Sequence, residues 1–233
     1  MAVLKLASEG RLGRYEVMTL VQPAIEGKRL AAALIVLGRQ DADLARALAE
    51  VGAPPPRSRP PGFASLLDIV LAQQVSTASH RAIAARLGAA AGGAITPAAI
   101  LALGEDGLRG VGFSRQKALY ARGLAEAVGE RRLDLDALAL LPDEAVLAEL
   151  MKLKGVGLWT AEIYLMFCMH RPDVLPAGDL ALRAAAGLVK RKRKRPEEAA
   201  LRRMGEAWRP WRSVASRLLW HYYARKILVP KAV

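Results

Sequence analysis

The chain has 233 residues and a mass of 25.1 kDa, with 53% hydrophobic and 24% charged residues. A chain of this length and composition can bury a core without disulfide bridges, which excludes a small disulfide scaffold and a mainly disordered protein. The formal net charge of +13 favours nucleic acid or an anionic membrane surface as a partner.

The first twenty residues contain two stretches that can adopt short extended structure, Val3–Leu6 and Tyr15–Met18. Charged residues interrupt this region, so it lacks the continuous apolar segment of a secretory signal peptide. The longest apolar run, Leu30–Leu37, is far below the roughly 18 residues that a membrane-spanning helix needs. We therefore expect neither secretion nor a membrane span.

Hydrophobic residues recur at helical intervals almost everywhere else, and the sequence shows little sustained period-two alternation. Two helices are predicted at about 24–37 and 42–51, the second capped by Asp41. The proline-rich segment Ala53–Gly62 interrupts helix and marks the first domain boundary. One or two helices follow over Phe63–Leu87.

Cap residues mark the later helices. Thr96 is a predicted N-cap followed by proline at the first helical position, and Ser114 caps a helix that reaches about Val128. Another helix begins at Pro142 and reaches about Met151. With further helices predicted at 158–169, 180–189, 197–208 and 211–227, the sequence predicts an all-α fold.

Two glycines, Gly155 and Gly157, flank one apolar residue between predicted helices. Without Cβ atoms the backbone can approach a phosphate, towards which the amides of the following helix N-terminus point. A plain structural turn is the alternative interpretation. The surrounding segment Leu153–Glu162, which includes Thr160, resembles the helix-hairpin-helix motif of DNA repair glycosylases.

About twenty residues later the segment Val174–Arg183 contains Asp179. In the family that the hairpin resembles, an aspartate at this distance is the catalytic carboxylate, which implies that role for Asp179. An N-cap for the helix beginning at Leu180 is the simpler interpretation of the residue by itself. The two roles are compatible, because a cap fixes the carboxylate and the positive helix end favours its ionised form.

Three more blocks extend the resemblance over residues from about 60 to 225, in family order. Trp208–Trp220 resembles the C-terminal signature of bacterial AlkA-type alkylpurine-DNA glycosylases, while Val70–Ser76 and Gly112–Lys117 resemble two of their other segments. The implied fold is the all-α HhH-GPD glycosylase fold, with two helical subdomains flanking a DNA-binding cleft. The expected divisions are 1–62, packing with the C-terminal helices, 63–175 with the hairpin at about 150–169, and 176–233.

The resemblance implies a DNA glycosylase that flips out an alkylated base, of the 3-methyladenine or 7-methylguanine type, and hydrolyses its N-glycosidic bond to initiate base excision repair. Bifunctional members carry a lysine two residues after the second hairpin glycine, where this chain has Trp159, so no lyase activity is expected. A glycosylase for deaminated or oxidised bases and a non-catalytic DNA-binding protein remain alternatives.

Family matches also assign side chains to the substrate and to DNA. Electron-rich rings attract a cationic base, which implies pocket roles for Trp159 and Trp220, although aromatic residues on helices more often pack in a core. Gln74 matches the residue that fills the gap left by the flipped base, or is a polar residue on a solvated face. The other pocket candidates are Gln73, Tyr164 and Tyr223, and the other DNA-binding candidates are Gly155, Gly157, Thr160, Ser76, Ser114 and Lys117.

No cofactor is expected to be required, but the family suggests a monovalent cation, Na⁺ or K⁺, on the backbone carbonyls of Met151, Leu153 and Val156. The single cysteine, Cys168, excludes an internal disulfide and a four-cysteine metal or iron–sulfur site. The expected protein is a monomer that binds damaged double-stranded DNA and no membrane. Its expected location is the cytoplasm (nucleoid) of a bacterium or archaeon, or the nucleus of a eukaryote.

The run Lys190–Arg195 places six consecutive cations between the Asp179 segment and the tryptophan block. A solvated basic loop is the simplest interpretation. Contact with additional DNA phosphates or a nuclear localisation signal are the alternatives.

Overall fold

The computed structural model describes residues 23–228, and all regular elements in this range are helical. The predicted all-α class is therefore confirmed for these residues, while the possible extended pieces before residue 21 lie outside them. None of the helices in the described range is long and apolar enough to cross a membrane. The α-helices, in chain order, are α1 (Gly27–Gln40), α2 (Ala42–Val51), α3 (Phe63–Leu71), α4 (Thr77–Ala90), α5 (Pro97–Gly110), α6 (Arg115–Gly129), α7 (Asp143–Met151), α8 (Leu158–Phe167), α9 (Leu180–Val189), α10 (Glu198–Gly205) and α11 (Arg212–Tyr223).

The chain folds as two units, whose described parts are Arg59–Met169 and the combination of Pro23–Ser58 with His170–Leu228. The divisions fall a few residues before the predicted ones at 62 and 175. The first unit contains α3 to α8, and the second contains α1, α2 and α9 to α11. Shorter elements are the 3₁₀ turns Ala137–Leu140 and Glu206–Trp208 and the π-turn Ala224–Leu228.

Two helices buried on nearly every side form the centre of the first unit. In α3 seven of the nine residues are buried, and in α8 every residue from Thr160 to Phe167 is buried. Helix α3 contacts α6 and α8, and α8 also contacts α7. Helices that are apolar all round lie inside a protein, so the turn between α7 and α8 is built on a rigid support.

The predicted helical region 63–87 consists of two helices with a short break. Helix α3 ends at Leu71 and α4 begins at Thr77, and Gln74 in the break has a left-handed backbone conformation with φ of 53°. Ser76 starts α4 as its N-cap, because its Oγ accepts a hydrogen bond from the Ser79 N–H at 3.1 Å. Gln74 is therefore exposed at the end of a tight turn.

The core of the second unit is formed by residues from both ends of the described chain. Apolar side chains of α1 and α2, including Leu34, Leu37 and Leu44, pack in one cluster with Trp208 and with Leu218 of α11. Trp208 is fully buried and donates its indole N–H to the carboxylate of Asp41 at 2.7 Å.

Candidate functional site

The turn between α7 and α8 contains the two glycines, and each has a different structural role. Gly155 has φ of 89°, and a Cβ at this position would overlap the ring of Tyr120. Gly155 is therefore required by the fold, for both its left-handed backbone and its close contact. Val156 next to it is buried, and its N–H donates to the Leu153 carbonyl at 3.1 Å.

At position 157, in contrast, the fold does not require glycine. Its φ of −90° is open to any residue, and nothing lies within 4 Å of the position that a Cβ would take. Gly157 is the N-cap of α8, with no side-chain cap hydrogen bond, so the first amides of this buried helix open onto the exposed space beside it. A backbone with this arrangement can receive an anionic group at close range.

Gln73 and Thr160 hold the turn from the inside. The Gln73 Nε2 donates to the Gly155 carbonyl at 2.9 Å and to the Thr160 Oγ1 at 2.7 Å, and Thr160 is 2% exposed. These two residues, for which the resemblance implies roles in the substrate pocket and in DNA binding, connect the end of α3 to the turn.

Lys117 is also directed into the first unit. Its ammonium donates to the carbonyls of Leu71 and Gln73, both at 2.6 Å, and burial holds its pKa below the ordinary lysine value. The ammonium satisfies carbonyls at the end of α3, and its expected contact with DNA stays a prediction. Ser114 is exposed and caps α6, accepting the Lys117 N–H at 3.2 Å.

The two aromatic candidates of α8 occupy different environments. Tyr164 is 0% exposed, its hydroxyl accepts a hydrogen bond from the Gly62 N–H at 2.9 Å, and burial raises its pKa. It therefore belongs to the core, where no surface remains to line a pocket, and this corrects its expected role. Trp159 is half-buried and lies directly before the buried stretch Thr160–Phe167.

Asp179 lies in the second unit as the N-cap of α9. Its Oδ1 accepts hydrogen bonds from the Leu182 N–H at 2.7 Å and from the Trp220 indole N–H at 3.0 Å. The predicted cap is thus present, and a second predicted site residue contacts the same oxygen from α11. Two donors on different helices fix the orientation of this half-buried carboxylate.

Trp220 forms one wall of a small cavity of about 160 Å³. The Arg57 guanidinium lies over its ring, 5.8 Å from the ring centre, which is within cation–π range. Arg57 was missed by sequence reasoning because it lies in the proline-rich segment that was interpreted only as a boundary. The cavity is lined by Pro54, Pro55, Arg57, Arg217, Trp220, His221 and Ala224.

Tyr223, the remaining aromatic candidate, is half-buried and packs against the core of the second unit.

The sequence and the structure are both similar to base excision repair proteins. Residues 67–210, more than half of the chain, match the model of the HhH-GPD superfamily of base excision DNA repair proteins. DNA-3-methyladenine glycosylase 1 of Schizosaccharomyces pombe is 30% identical over 161 residues, covering 68% of this chain and 71% of the relative. The structure of a 3-methyladenine DNA glycosylase of the same yeast in complex with abasic DNA has a TM-score of 0.76 and 30% identity, with 81% of this chain and 95% of that chain covered.

Other relatives are considerably longer than the matched region. The Bacillus subtilis protein YfjP is 32% identical over 124 residues, which cover 53% of this chain and 43% of the relative. The match therefore spans less than half the length of this relative.

Proposed function

Because the chain belongs to the HhH-GPD superfamily of base excision DNA repair proteins, we propose that it is a DNA glycosylase that removes alkylated bases from duplex DNA. The observation that carries the proposal is the carboxylate of Asp179, oriented by the Leu182 N–H and the Trp220 indole. A carboxylate fixed in this way can stabilise the positive charge that develops on the deoxyribose as the N-glycosidic bond breaks, and can orient the attacking water.

The target carbon is hidden within the stacked duplex, so the nucleotide must be flipped out before Asp179 can act. Gly157 and the first amides of α8 are the proposed contact with the DNA backbone, because no side chain blocks this exposed helix start. Gln74, exposed on its left-handed turn, is the proposed residue that enters the gap left in the duplex.

An N3- or N7-alkylated purine is already cationic, so it leaves without protonation by the protein. Its positive charge also favours stacking on an electron-rich ring, and Trp159 and Trp220, both half-buried, are the proposed stacking surfaces. The reaction therefore depends on one carboxylate and needs no second acidic group.

The proposed enzyme is a hydrolase without lyase activity. Trp159 occupies the position at which bifunctional relatives carry the lysine that attacks the sugar. Water is then the nucleophile, and no imine forms between protein and DNA. Borohydride treatment during the reaction should trap no covalent protein–DNA adduct, and a trapped adduct would contradict this part of the proposal.

A monovalent cation at the turn remains part of the proposal. The Leu153 carbonyl accepts one hydrogen bond, from the Val156 N–H, and a carbonyl oxygen has two lone pairs. The carbonyls of Met151, Leu153 and Val156 are thus suitable ligands for Na⁺ or K⁺, which would supply positive charge towards a DNA phosphate.

One observation favours a second substrate class, neutral damaged bases such as deaminated purines. The Arg57 guanidinium already lies over the Trp220 ring, so a cationic base approaching this face meets a like charge. Chromatography of the bases released from alkylated, deaminated and oxidised DNA separates the two classes directly.

The decisive experiment combines this assay with Asp179→Asn. The wild-type protein should release methylated purines, and the variant should release them at least about 10²-fold more slowly, because the amide cannot stabilise the developing charge. Binding of both proteins to abasic-site duplex should remain comparable. A wild-type protein that releases no base from alkylated DNA would overturn the proposed function, and release from deaminated DNA alone would support the second substrate class.

A further inference from the structure

The run Lys190–Arg195 has no part in the proposed chemistry, yet its shape is well defined. At its start, the Lys190 ammonium lies 2.7 Å from the buried carboxylate of Asp41. At its end, Pro196 is buried and its carbonyl accepts a hydrogen bond from the Arg183 Nε at 2.8 Å. Both ends of the run are therefore fixed to the second unit.

The chain between these two points turns back at the end of α9. Arg191 has φ of 51°, its N–H donates to the Leu188 carbonyl, and the Lys192 N–H donates to the Gly187 carbonyl. This pair of bonds is a Schellman ending, in which the left-handed position is usually glycine. The turn thus has a cation where the backbone favours glycine.

The positive charges of the side chains in this turn are not paired with carboxylates of the described residues. Among residues 23–228, the side chains of Arg191–Arg195 and of Arg203 form neither an ion pair nor a hydrogen bond, and all are exposed. Two nearby carboxylates are already occupied, since Glu197 pairs with Arg183 and Glu198 with Arg202. We name Arg191–Arg195 together with Arg203 the basic crest. All of its residues except Arg191 line an open groove of about 950 Å³, together with Pro196, Ala200 and Met204.

The basic crest and Asp179 lie at opposite ends of the same helix. Helix α9 has ten residues, so at 1.5 Å per residue its ends are about 15 Å apart. A DNA strand rises about 3.4 Å per base pair, and this separation corresponds to four or five base pairs. Phosphates near a lesion bound at Asp179 are therefore within reach of the crest.

We propose that the basic crest is a second DNA-binding surface, which binds backbone phosphates of duplex DNA away from the lesion. This inference rests on the proposed function, because DNA is the substrate of that function. A lipid surface is a poorer partner, since all five residues of Arg191–Arg195 are charged and membrane-surface segments need apolar side chains to insert. Closely spaced, unpaired arginines and lysines match the dense, regular charge of a phosphate backbone.

Replacing Lys192, Arg193, Lys194 and Arg195 by glutamine in the full chain tests the inference. Affinity for undamaged duplex is measured by fluorescence anisotropy over a series of NaCl concentrations. Each lost phosphate contact reduces the slope of log K against log salt by about 0.9, so we expect the slope to fall by up to about 3.6. Affinity at low salt should fall at least tenfold.

A second variant separates binding from folding. Arg191→Gly places the favoured residue at the left-handed position, so its resistance to urea should equal or exceed that of the wild type. Its salt slope should nevertheless fall by about 0.9, because one phosphate contact is removed.

The matched control removes four positive charges elsewhere, at exposed positions outside the crest: Lys28, Arg39, Arg109 and Arg131, each replaced by glutamine. The control should retain most of the wild-type slope. Equal losses in the control and the crest variant would show an effect of net charge alone and would overturn the inference. It is also overturned if the crest variant binds duplex DNA like the wild type, or if it loses affinity only for single-stranded RNA or for phosphatidylserine vesicles.

Two duplex lengths identify the source of the phosphates. In a lesion duplex of about 12 base pairs, DNA extends about 20 Å on each side of the lesion. A loss of affinity with this duplex places the contact beside the lesion, whereas a loss only with a much longer duplex places it on a separate stretch of DNA. Either result supports a crest that binds DNA. Binding to undamaged duplex requires no catalysis, so this inference and the proposed function can fail independently.

Discussion

At the scale of single residues, the carboxylate of Asp179 depends on two helices. Its Oδ1 is held by the backbone of α9 and by the Trp220 indole of α11. The hydrogen bond from the Leu182 N–H alone would make Asp179 an ordinary helix cap. The hydrogen bond from the Trp220 indole restrains the carboxylate from a second side. A carboxylate that acts on a sugar must be held in a constant orientation, and two restraints provide this.

Trp220→Phe tests the hydrogen bond from the indole to Asp179, because phenylalanine keeps an aromatic ring at this position but lacks the N–H donor. A hydrogen bond to a charged group contributes about 1.5 to 3 kcal/mol, so single-turnover base release should slow by roughly tenfold to 100-fold. Affinity for abasic-site duplex should change much less. Release rates and anisotropy measure the two effects separately.

Trp211→Phe is the matched control. Trp211 is also a half-buried tryptophan of the second unit, but its ring lies under Arg29 instead of beside Asp179. The control should release bases at the wild-type rate. Equal rates of base release for Trp220→Phe and the wild type would show that the hydrogen bond from the Trp220 indole does not position the carboxylate of Asp179.

At the scale of elements, the turn between α7 and α8 contains one glycine that the fold requires and one that we propose contacts DNA. Gly155→Ala introduces both a strained backbone and an overlap with Tyr120, so the free energy of unfolding should fall by about 2 kcal/mol or more. Gly157→Ala meets open space at an ordinary φ, so stability should stay within about 0.5 kcal/mol of the wild type. Urea titrations of both variants provide the comparison.

DNA binding should respond differently from stability. The methyl group of Gly157→Ala lies where we propose that a phosphate approaches, so affinity for abasic-site duplex should fall several-fold although the protein is stable. A Gly157→Ala variant with wild-type affinity would argue against this contact. Wild-type stability of Gly155→Ala would contradict the overlap with Tyr120.

The break between α3 and α4 shows why a motif match does not predict in which direction a side chain points. Gln73 and Lys117 match segments that the family uses near DNA, but both donate inward, to the turn and to the end of α3. Both side chains therefore fix the backbone that carries Gln74 and the glycine turn.

At the scale of the whole molecule, Asp41 connects three distant parts of the chain. It caps α2, accepts the Trp208 indole N–H, and pairs with Lys190 at the start of the basic run. Burial raises the pKa of this carboxyl, but the hydrogen bonds from Lys190 and Trp208 outweigh burial and hold the pKa below its ordinary value of 3.8.

Asp41→Asn should lower the free energy of unfolding by about 3 kcal/mol at neutral pH, because it leaves the partly buried ammonium of Lys190 without its closest carboxylate. Since the folded pKa is lower than the unfolded one, the stabilisation by Asp41 is complete above pH 3.8 and is lost as the pH falls through the folded pKa. The difference from the wild type in urea titrations should therefore shrink in strong acid.

Asp43→Asn is the control for this prediction. Asp43 also contacts Lys190, at 3.2 Å, but its side chain is 33% exposed, so its loss should cost less than about 1 kcal/mol. Similar losses for the two variants would indicate that Asp41 acts only as a surface charge.

Local patterns in the sequence were sufficient to predict the helical class, the glycine turn, the caps at Asp41, Ser114 and Asp179, and the excess of positive charge. Each of these depends on residues within a few positions of one another, or on composition alone. Backbone propensity and capping are local, so they can be predicted without knowledge of the fold.

Only the tertiary structure decided which side chains face which neighbours. Helix α8 is apolar on nearly every side, so periodicity could not predict that Tyr164 is fully buried while Trp159 is half-exposed. The hydrogen bond between Trp220 and Asp179 joins residues 41 positions apart, and Arg57 reaches Trp220 from a proline-rich segment. Such contacts depend on how separate helices pack, and no spacing within one helix encodes them.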